Sequence, residues 1–324
     1  MLDVTAGLDS FSFEVGLSEE EKEKVYLRSR AAGLTFCGCA HAVFLCKLVQ
    51  SLRASILSHT AAGGRGLCVG ILGMGHLGKQ LLTCLLEKSG IEPSNIKISS
   101  RRPESTVEFT QAGVECLFSN SRLAAWADVL FLCCLPSHLP KVCADLRSHL
   151  SKHCLVYCFT SAVPVARLAH LLGHDFIIKP QYMTGGDVDV WQSCTDMKTA
   201  LNDPSLIEAS CPLTMSGGIS LDLSWVCAVL YSLLNICSSA SLGSSLTLCL
   251  INSIFQETGT HVIKLTTQTF ISASCATSLL PDEPFPWISI TDIQTKDIHL
   301  QCHLSRNKPM QQCISAAYKY MLQN

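Results

Sequence analysis

An α/β fold organised on a doubly wound parallel sheet is what this sequence predicts, and three observations carry the prediction. An apolar run over 67–72 passes straight into Gly73, Gly75 and Gly78, spaced G-x-G-x-x-G. Short apolar runs suited to buried strands then alternate with helix-like stretches as far as residue 178. The chain has 324 residues and is 48% hydrophobic, enough for that sheet and for flanking helices. The expected architecture is a Rossmann-type sheet domain over 65–215, with an N-terminal helical extension over 1–64 and a C-terminal, mostly helical domain over 216–324.

Residues 1–17 carry few regular signals and read as a candidate disordered lead. Ser18 with Glu21 three residues on makes a capping-box pattern, opening a helix over 18–32. A second, mostly apolar helix is expected over 34–57, interrupted by His41, Lys47 and Arg53. The run over 61–66 reads as a flexible linker and sets a boundary near residue 64. After strand one and the glycine turn, a helix runs to about Ser89, where Gly90 stops it. Strand two covers 95–99, followed by a short helix over 104–112, a short strand over 114–117 and a helix over 121–127. A strongly apolar strand over 128–136 ends at Pro136. A helix over 140–150, a strand over 155–159, a helix over 163–172 and a last strand over 175–178 complete the alternation. Helices are then expected over 221–237, 246–265 and 309–322, broken by the proline-rich stretch 281–286.

Composition excludes several classes of function. A net charge of −2 leaves no basic footprint for nucleic acid and no polybasic face for a membrane surface. The acidic residues Glu19, Glu20, Glu21 and Glu23 are unlike a secretory signal or transit peptide. The expected location is the cytoplasm, with the mitochondrion left open. Nineteen cysteines are an odd number, sit within apolar runs and form no Cys-x-x-Cys pair. Cys37-Gly38-Cys39-Ala40-His41 comes nearest to a metal cluster but lacks a second half at zinc-like spacing, so no metal is expected. The cysteines read as core filler in a reducing compartment. Residues 223–256 carry no charged side chain and keep a membrane anchor open as an alternative; their scattered Ser, Thr, Asn and Gly favour two buried helices joined by a turn.

In a strand–turn–helix of this kind, the first glycine permits the turn and the second lets backbone approach a pyrophosphate. The third lets the helix pack on the strand. Leu72, Gly73, Met74, Gly75, His76, Leu77 and Gly78 are therefore candidate dinucleotide contacts, with free N–H groups and the positive end of the helix dipole on the phosphates. A turn retained for packing alone is the alternative. The end of strand two reads Ser99-Ser100-Arg101-Arg102, with no carboxylate for a ribose 2′-hydroxyl. Two guanidinium groups suit a 2′-phosphate, so NADP(H) is preferred over NAD(H). The competing reading is a solvated basic turn.

Taken together, these residues resemble the pyrroline-5-carboxylate reductase family, whose first domain has a comparable glycine turn, a serine pair after strand two and a strand of the type V-L-F-L-x-V-K-P. Here that strand reads Val129-Leu130-Phe131-Leu132-Cys133-Cys134-Leu135-Pro136, with Pro140 beyond it. The resemblance implies cofactor contacts at Cys133, Cys134, Leu135 and Pro136, and at Asn120, which matches a cofactor-contacting asparagine. It also implies contacts at Cys158, Phe159, Thr160 and Ser161, in the place of a C-A-A-G turn beside the nicotinamide. It covers roughly residues 67–180. Leu135 stands where the family has lysine, and neither of the family's substrate stretches, S-G-S-G-P-A-Y and S-P-G-G-T-T, is present. Ser216-Gly217-Gly218 is a short echo and reads more simply as a turn entering the helix from residue 221. A helical second domain burying apolar faces in a homodimer or higher homo-oligomer is what the resemblance implies.

The implied reaction is hydride transfer to a C=N bond, or a related one, of a small-molecule substrate. A protonated iminium needs little further activation, and no catalytic residue is assigned. His138 at a strand end is a candidate proton donor, weighed against an ordinary surface histidine. Lys179 and Tyr182 either face substrate or are plain loop residues; His76 is expected to offer its backbone N–H only. Asp187 and Asp189 read as solvated turn residues, and no Ser/His/Asp set is recognisable. The alternative is a catalytically inactive NADP-binding sensor or interaction protein, supported by the loss of both substrate stretches.

Overall fold

The computed structural model describes residues 17–60, 65–256, 264–272, 276 and 278–324; residues 1–16 of the lead expected to be disordered, and most of the expected linker, lie outside them. The elements are α1 (Glu19–Thr60), β1 (Val69–Leu72), α2 (His76–Lys88), β2 (Ile96–Ser99), α3 (Val107–Gln111), β3 (Glu115–Leu117), α4 (Asn120–Trp126), β4 (Val129–Leu132), α5 (Leu139–Leu146), β5 (Leu155–Cys158), α6 (Val165–Leu172) and β6 (Ile177–Ile178). Then come β7 (Tyr182–Thr184), α7 (Met197–Ala200), α8 (Pro204–Ala209), β8 (Ile219–Leu221), α9 (Leu223–Ser239) and α10 (Ser244–Gln256). Short helices Thr267–Phe270, Ile290–Ile293 and His299–Arg306 lead to the last one, Lys308–Gln323.

Strands β1 to β6 form one parallel sheet in the order β3-β2-β1-β4-β5-β6, the strand order of a Rossmann fold. All four residues of β1, of β4 and of β5 are buried, as in a sheet covered on both faces. Leu130, Leu132 and Val156 pack with α4, α5 and α6, while Ile71, Phe131 and Tyr157 face the core that holds α1, α2 and α9. Gln294 closes the β6 edge: its amide donates to Ile177 O (2.6 Å) and Ile290 O (2.9 Å), and its carbonyl accepts from Lys179 N (2.9 Å).

The N-terminal region corrects the expectation of two helices, because α1 runs unbroken through Gly33. A Cβ at Gly33 would lie 2.6 Å from the Trp191 ring, so this glycine serves close packing and does not break the helix. Every residue over 36–46 is buried, which makes α1 a core helix enclosed on all sides. Among the described residues it is also the one helix long and apolar enough to cross a membrane, and 78% of its apolar window is buried inside the protein.

Residues 223–256 form two helices joined by a turn over 240–243, where Ser241 adopts φ +55°. Their polar side chains clamp neighbouring loops. Asn235 exchanges two hydrogen bonds with the Ile288 backbone and Asn252 two with Leu265. That clamp holds Leu265 in irregular backbone; the helix expected over 246–265 is described over Ser244–Gln256, and residues 257–263 of it lie outside the described residues. Ser216, Gly217 and Gly218 lead into β8, which pairs antiparallel with β7, and the expected entry into a helix at 221 is displaced to Leu223.

Candidate functional site

Register places the sequence-predicted residues on one edge of the sheet. Leu72 lies opposite Ser99 on one side and Leu132 on the other, and Leu132 lies opposite Cys158. The loops leaving four adjacent strands, β2, β1, β4 and β5, therefore share the C-terminal edge. Backbone bonds knit them together: Gly73 N donates to Ser99 O (3.2 Å), Cys133 N to Leu72 O (2.9 Å) and Phe159 N to Leu132 O (3.2 Å). Thr160 Oγ1 donates to Cys134 O at 3.1 Å. The strand order reverses between β1 and β4, which is where an open α/β sheet leaves a crevice for ligand.

The three glycines are distinguished by what surrounds them. Gly73 sits at φ +100°, a conformation that L side chains rarely adopt, and turns the chain out of β1. A Cβ at Gly78 would lie 2.0 Å from Gly73 O, so only glycine lets α2 approach the turn. A Cβ at Gly75 would meet nothing within 4 Å. The open space lies at the N-terminus of α2, which has no side-chain cap and no acidic residue in its first turn. Unsatisfied N–H donors beside open space are what a phosphate requires. The residues present thus fit a dinucleotide diphosphate. Met74 is buried beneath this turn, whereas His76, the first residue of α2, is exposed.

At the end of β2, Ser99 is buried and donates to Asn120 Oδ1 (2.8 Å), while Asn120 Nδ2 donates to Asp145 (3.1 Å). Ser100 Oγ accepts from Arg102 N (3.0 Å) and donates to Arg102 O (3.2 Å), closing a local turn. Arg101 and Arg102 are exposed on that turn. Leu135 is 64% exposed, and Pro136, Ser161 and His138 are exposed beside it on the same edge. Cys158 is buried and its thiol is pushed up by burial, so it stays protonated.

One cluster has no local signal in the sequence. His41 is buried in α1, with Nδ1 2.7 Å from Tyr182 Oη and Nε2 2.7 Å from Ser210 O. Ser210 Oγ lies 2.8 Å from Tyr318 Oη. The hydroxyl of Tyr157 and the indole N–H of Trp225 are buried nearby without a hydrogen-bond partner, and the His41 ring packs against Trp225 at 4.9 Å. The ring nitrogens of His41 are thus occupied, and Cys37, Cys39 and His41 share one continuous helix. Among the described residues no group of three or more His, Cys, Asp or Glu is placed to hold a metal. Among the described residues no cysteine forms a disulfide.

A family model described as NADP oxidoreductase coenzyme F420-dependent matches residues 68–159. NADP-dependent oxidoreductase domain-containing protein 1 of Mus musculus is 38% identical, over 98% of this chain and 93% of the relative. Pyrroline-5-carboxylate reductase of Escherichia coli (strain K12) is 30% identical over 33% of this chain and 40% of its own length. Among solved structures, a pyrroline-5-carboxylate reductase from Coxiella burnetii is 15% identical, with 79% of this chain and 98% of that chain covered and a TM-score of 0.33. An imine reductase from Aspergillus terreus is 16% identical, with 38% and 43% covered and a TM-score of 0.30. On the near-full-length match to the mouse protein, the chain belongs to the family of NADP-dependent oxidoreductase domain-containing protein 1.

Proposed function

We propose that this protein is an NADP(H)-dependent oxidoreductase that transfers hydride to a C=N bond, or a related bond, of a small molecule. The observation that carries the reading is the open, uncapped start of α2 over Gly75, walled by the Gly73 turn and the Gly78 contact. The relatives named for NADP and for pyrroline-5-carboxylate reduction support it. The nicotinamide supplies the hydride when bound, and the protein supplies position and electrostatics. Backbone N–H groups at the start of α2 hold the diphosphate. The exposed guanidinium groups of Arg101 and Arg102 take the 2′-phosphate, where a carboxylate would repel it. The loop over 133–136 and the turn over 158–161, tied by the Thr160 to Cys134 bond, form the floor of the nicotinamide end.

Titrations of NADPH and NADH, followed by cofactor fluorescence, test this reading on the intact protein and on an Arg101→Ala/Arg102→Ala variant. The intact protein is expected to prefer NADPH and the variant to lose that preference. Unchanged discrimination in the variant overturns the assignment of the arginines, and failure of the intact protein to bind either nucleotide overturns the oxidoreductase reading. A second reading, cofactor binding without turnover, draws on Leu135, an exposed apolar side chain where the resemblance leads one to expect a lysine. NADPH oxidation across a panel of cyclic imines and small keto compounds separates the two.

A further inference from the structure

A cavity of about 750 Å³ opens at the N-terminal edge of the parallel sheet, the end opposite the glycine turn. Its walls come from the segments that enter β5 and β6, from the end of α9 and from the proline-rich stretch at 285–287. Clefts of this size with an apolar wall and a few fixed polar groups are the usual seats of small ligands.

The apolar wall is set in advance. Phe285 O accepts from Ser238 Oγ (2.8 Å), and the Ile288 backbone is bonded to Asn235, so the segment carrying Trp287 is clamped to α9 at both ends. The Trp287 ring stands edge-on to Phe176 at 5.1 Å and to His153 at 5.7 Å, yet the residue keeps 39% of its surface open. A ring already pinned beside a cavity costs little ordering entropy when a ligand settles on it.

Two opposite charges line the same space. Lys152 precedes β5 and Asp175 precedes β6; both are exposed, and neither forms an ion pair with the other or with any described residue. The imidazoles of His153 and His174 are both shifted down by burial, so they stay neutral at neutral pH. The cavity therefore offers one cation, one anion and an aromatic wall. A simple anion would be repelled by Asp175 and a simple cation by Lys152, whereas a ligand with both charges and an apolar body suits all three.

We propose that this cavity binds the zwitterion of an amino acid with an aromatic side chain, its carboxylate on Lys152, its ammonium on Asp175 and its ring against Trp287. The four residues of β5 separate the cavity from the dinucleotide crevice by roughly 13 Å. The assignment does not depend on the oxidoreductase reading.

Calorimetric titrations test it with L-phenylalanine, with 3-phenylpropionate, which lacks the ammonium, and with phenethylamine, which lacks the carboxylate. They are run on the intact protein, Lys152→Met, Asp175→Asn and Trp287→Leu. The intact protein is expected to bind L-phenylalanine, and each analogue about 5-fold more weakly, the upper worth of an exposed ion pair. Lys152→Met is expected to weaken L-phenylalanine and 3-phenylpropionate and to spare phenethylamine. Asp175→Asn is expected to weaken L-phenylalanine and phenethylamine and to leave 3-phenylpropionate no weaker. Trp287→Leu weakens all three. A general loss of folding cannot produce this crossed pattern. The proposal is overturned if L-phenylalanine does not bind the intact protein, binds no better than its analogues, or binds any of the three variants as tightly as the intact protein. Displacement of L-phenylalanine by saturating NADPH would place it in the nucleotide crevice and overturns the proposal too.

Discussion

His41, in the middle of the N-terminal helix, places its Nδ1 2.7 Å from the hydroxyl of Tyr182, which lies 141 residues further along on β7. The other ring nitrogen faces Ser210 O, which can only accept, so Nε2 carries the proton and Nδ1 accepts from Tyr182. This bond ties the core helix to the segment that leaves the sheet.

Burial holds the His41 imidazole down to about 4, below the ordinary histidine value of 6.5. The unfolded chain takes up a proton there before the folded one does, so stability falls as pH drops from about 6.5 towards 4 and then levels off. The loss is on the order of 3 kcal/mol over that window. His174 is shifted in the same direction by burial, so the informative quantity is the difference between two denaturation series against pH. A His41→Leu variant is expected to have a flatter profile than the intact protein.

Tyr182→Phe leaves His41 Nδ1 without its donor inside the core and is expected to cost about 1–3 kcal/mol. Tyr157→Phe removes a hydroxyl that has no partner. It is expected to leave stability unchanged or raise it by up to about 1 kcal/mol. Paired urea unfolding curves rank the two; equal losses would show that the Tyr157 hydroxyl is bonded in solution.

The glycines of the turn are expected to separate folding from binding. Gly75→Ala adds a methyl group where nothing lies within 4 Å, at an ordinary backbone angle, and is expected to shift stability by less than about 0.5 kcal/mol. Its methyl intrudes on the phosphate cradle, so dinucleotide affinity falls. Gly78→Ala drives a Cβ onto Gly73 O and is expected to cost about 1–3 kcal/mol or more. Thermal melts with and without NADPH distinguish the two outcomes.

Asp128 accepts from Arg53 at 2.7 Å, Arg65 at 3.1 Å and Cys68 N at 3.0 Å, joining α1 to the starts of β1 and β4. Asp128→Ala is expected to cost about 2 kcal/mol, the scale of hydrogen bonds to a charged group. Arg65→Ala, at a side chain 54% exposed, is expected to cost less than about 1 kcal/mol. Denaturant midpoints compare the two directly.

How much of this was legible in the sequence depended on whether the cause was local. The turn at Gly73, Gly75 and Gly78 and the strands around it follow from short-range sterics and apolar patterning; β1, β2 and β5 stand within a residue or two of their expected bounds, whereas β4 ends at Leu132, four residues short of Pro136. The continuity of α1 was not legible, because Gly33 reads as a breaker until Trp191 packs against it. Strands β7 and β8 are three residues long and find each other only in three dimensions. The His41 to Tyr182 contact is a product of packing, and each residue type is commonplace on its own.

Lys47 in the first helix donates to Met321 O in the last, 274 residues away, and Phe44 packs edge-on against Tyr318 at 5.2 Å. The two extremities of the described chain are thus structural neighbours, and the helix made first must wait for the one made last. Contacts of such long range slow assembly and make it cooperative. The nucleotide crevice consequently has no self-sufficient half: a fragment trimmed of either end helix would expose the sheet's inner face and lose the shape of the pocket along with it.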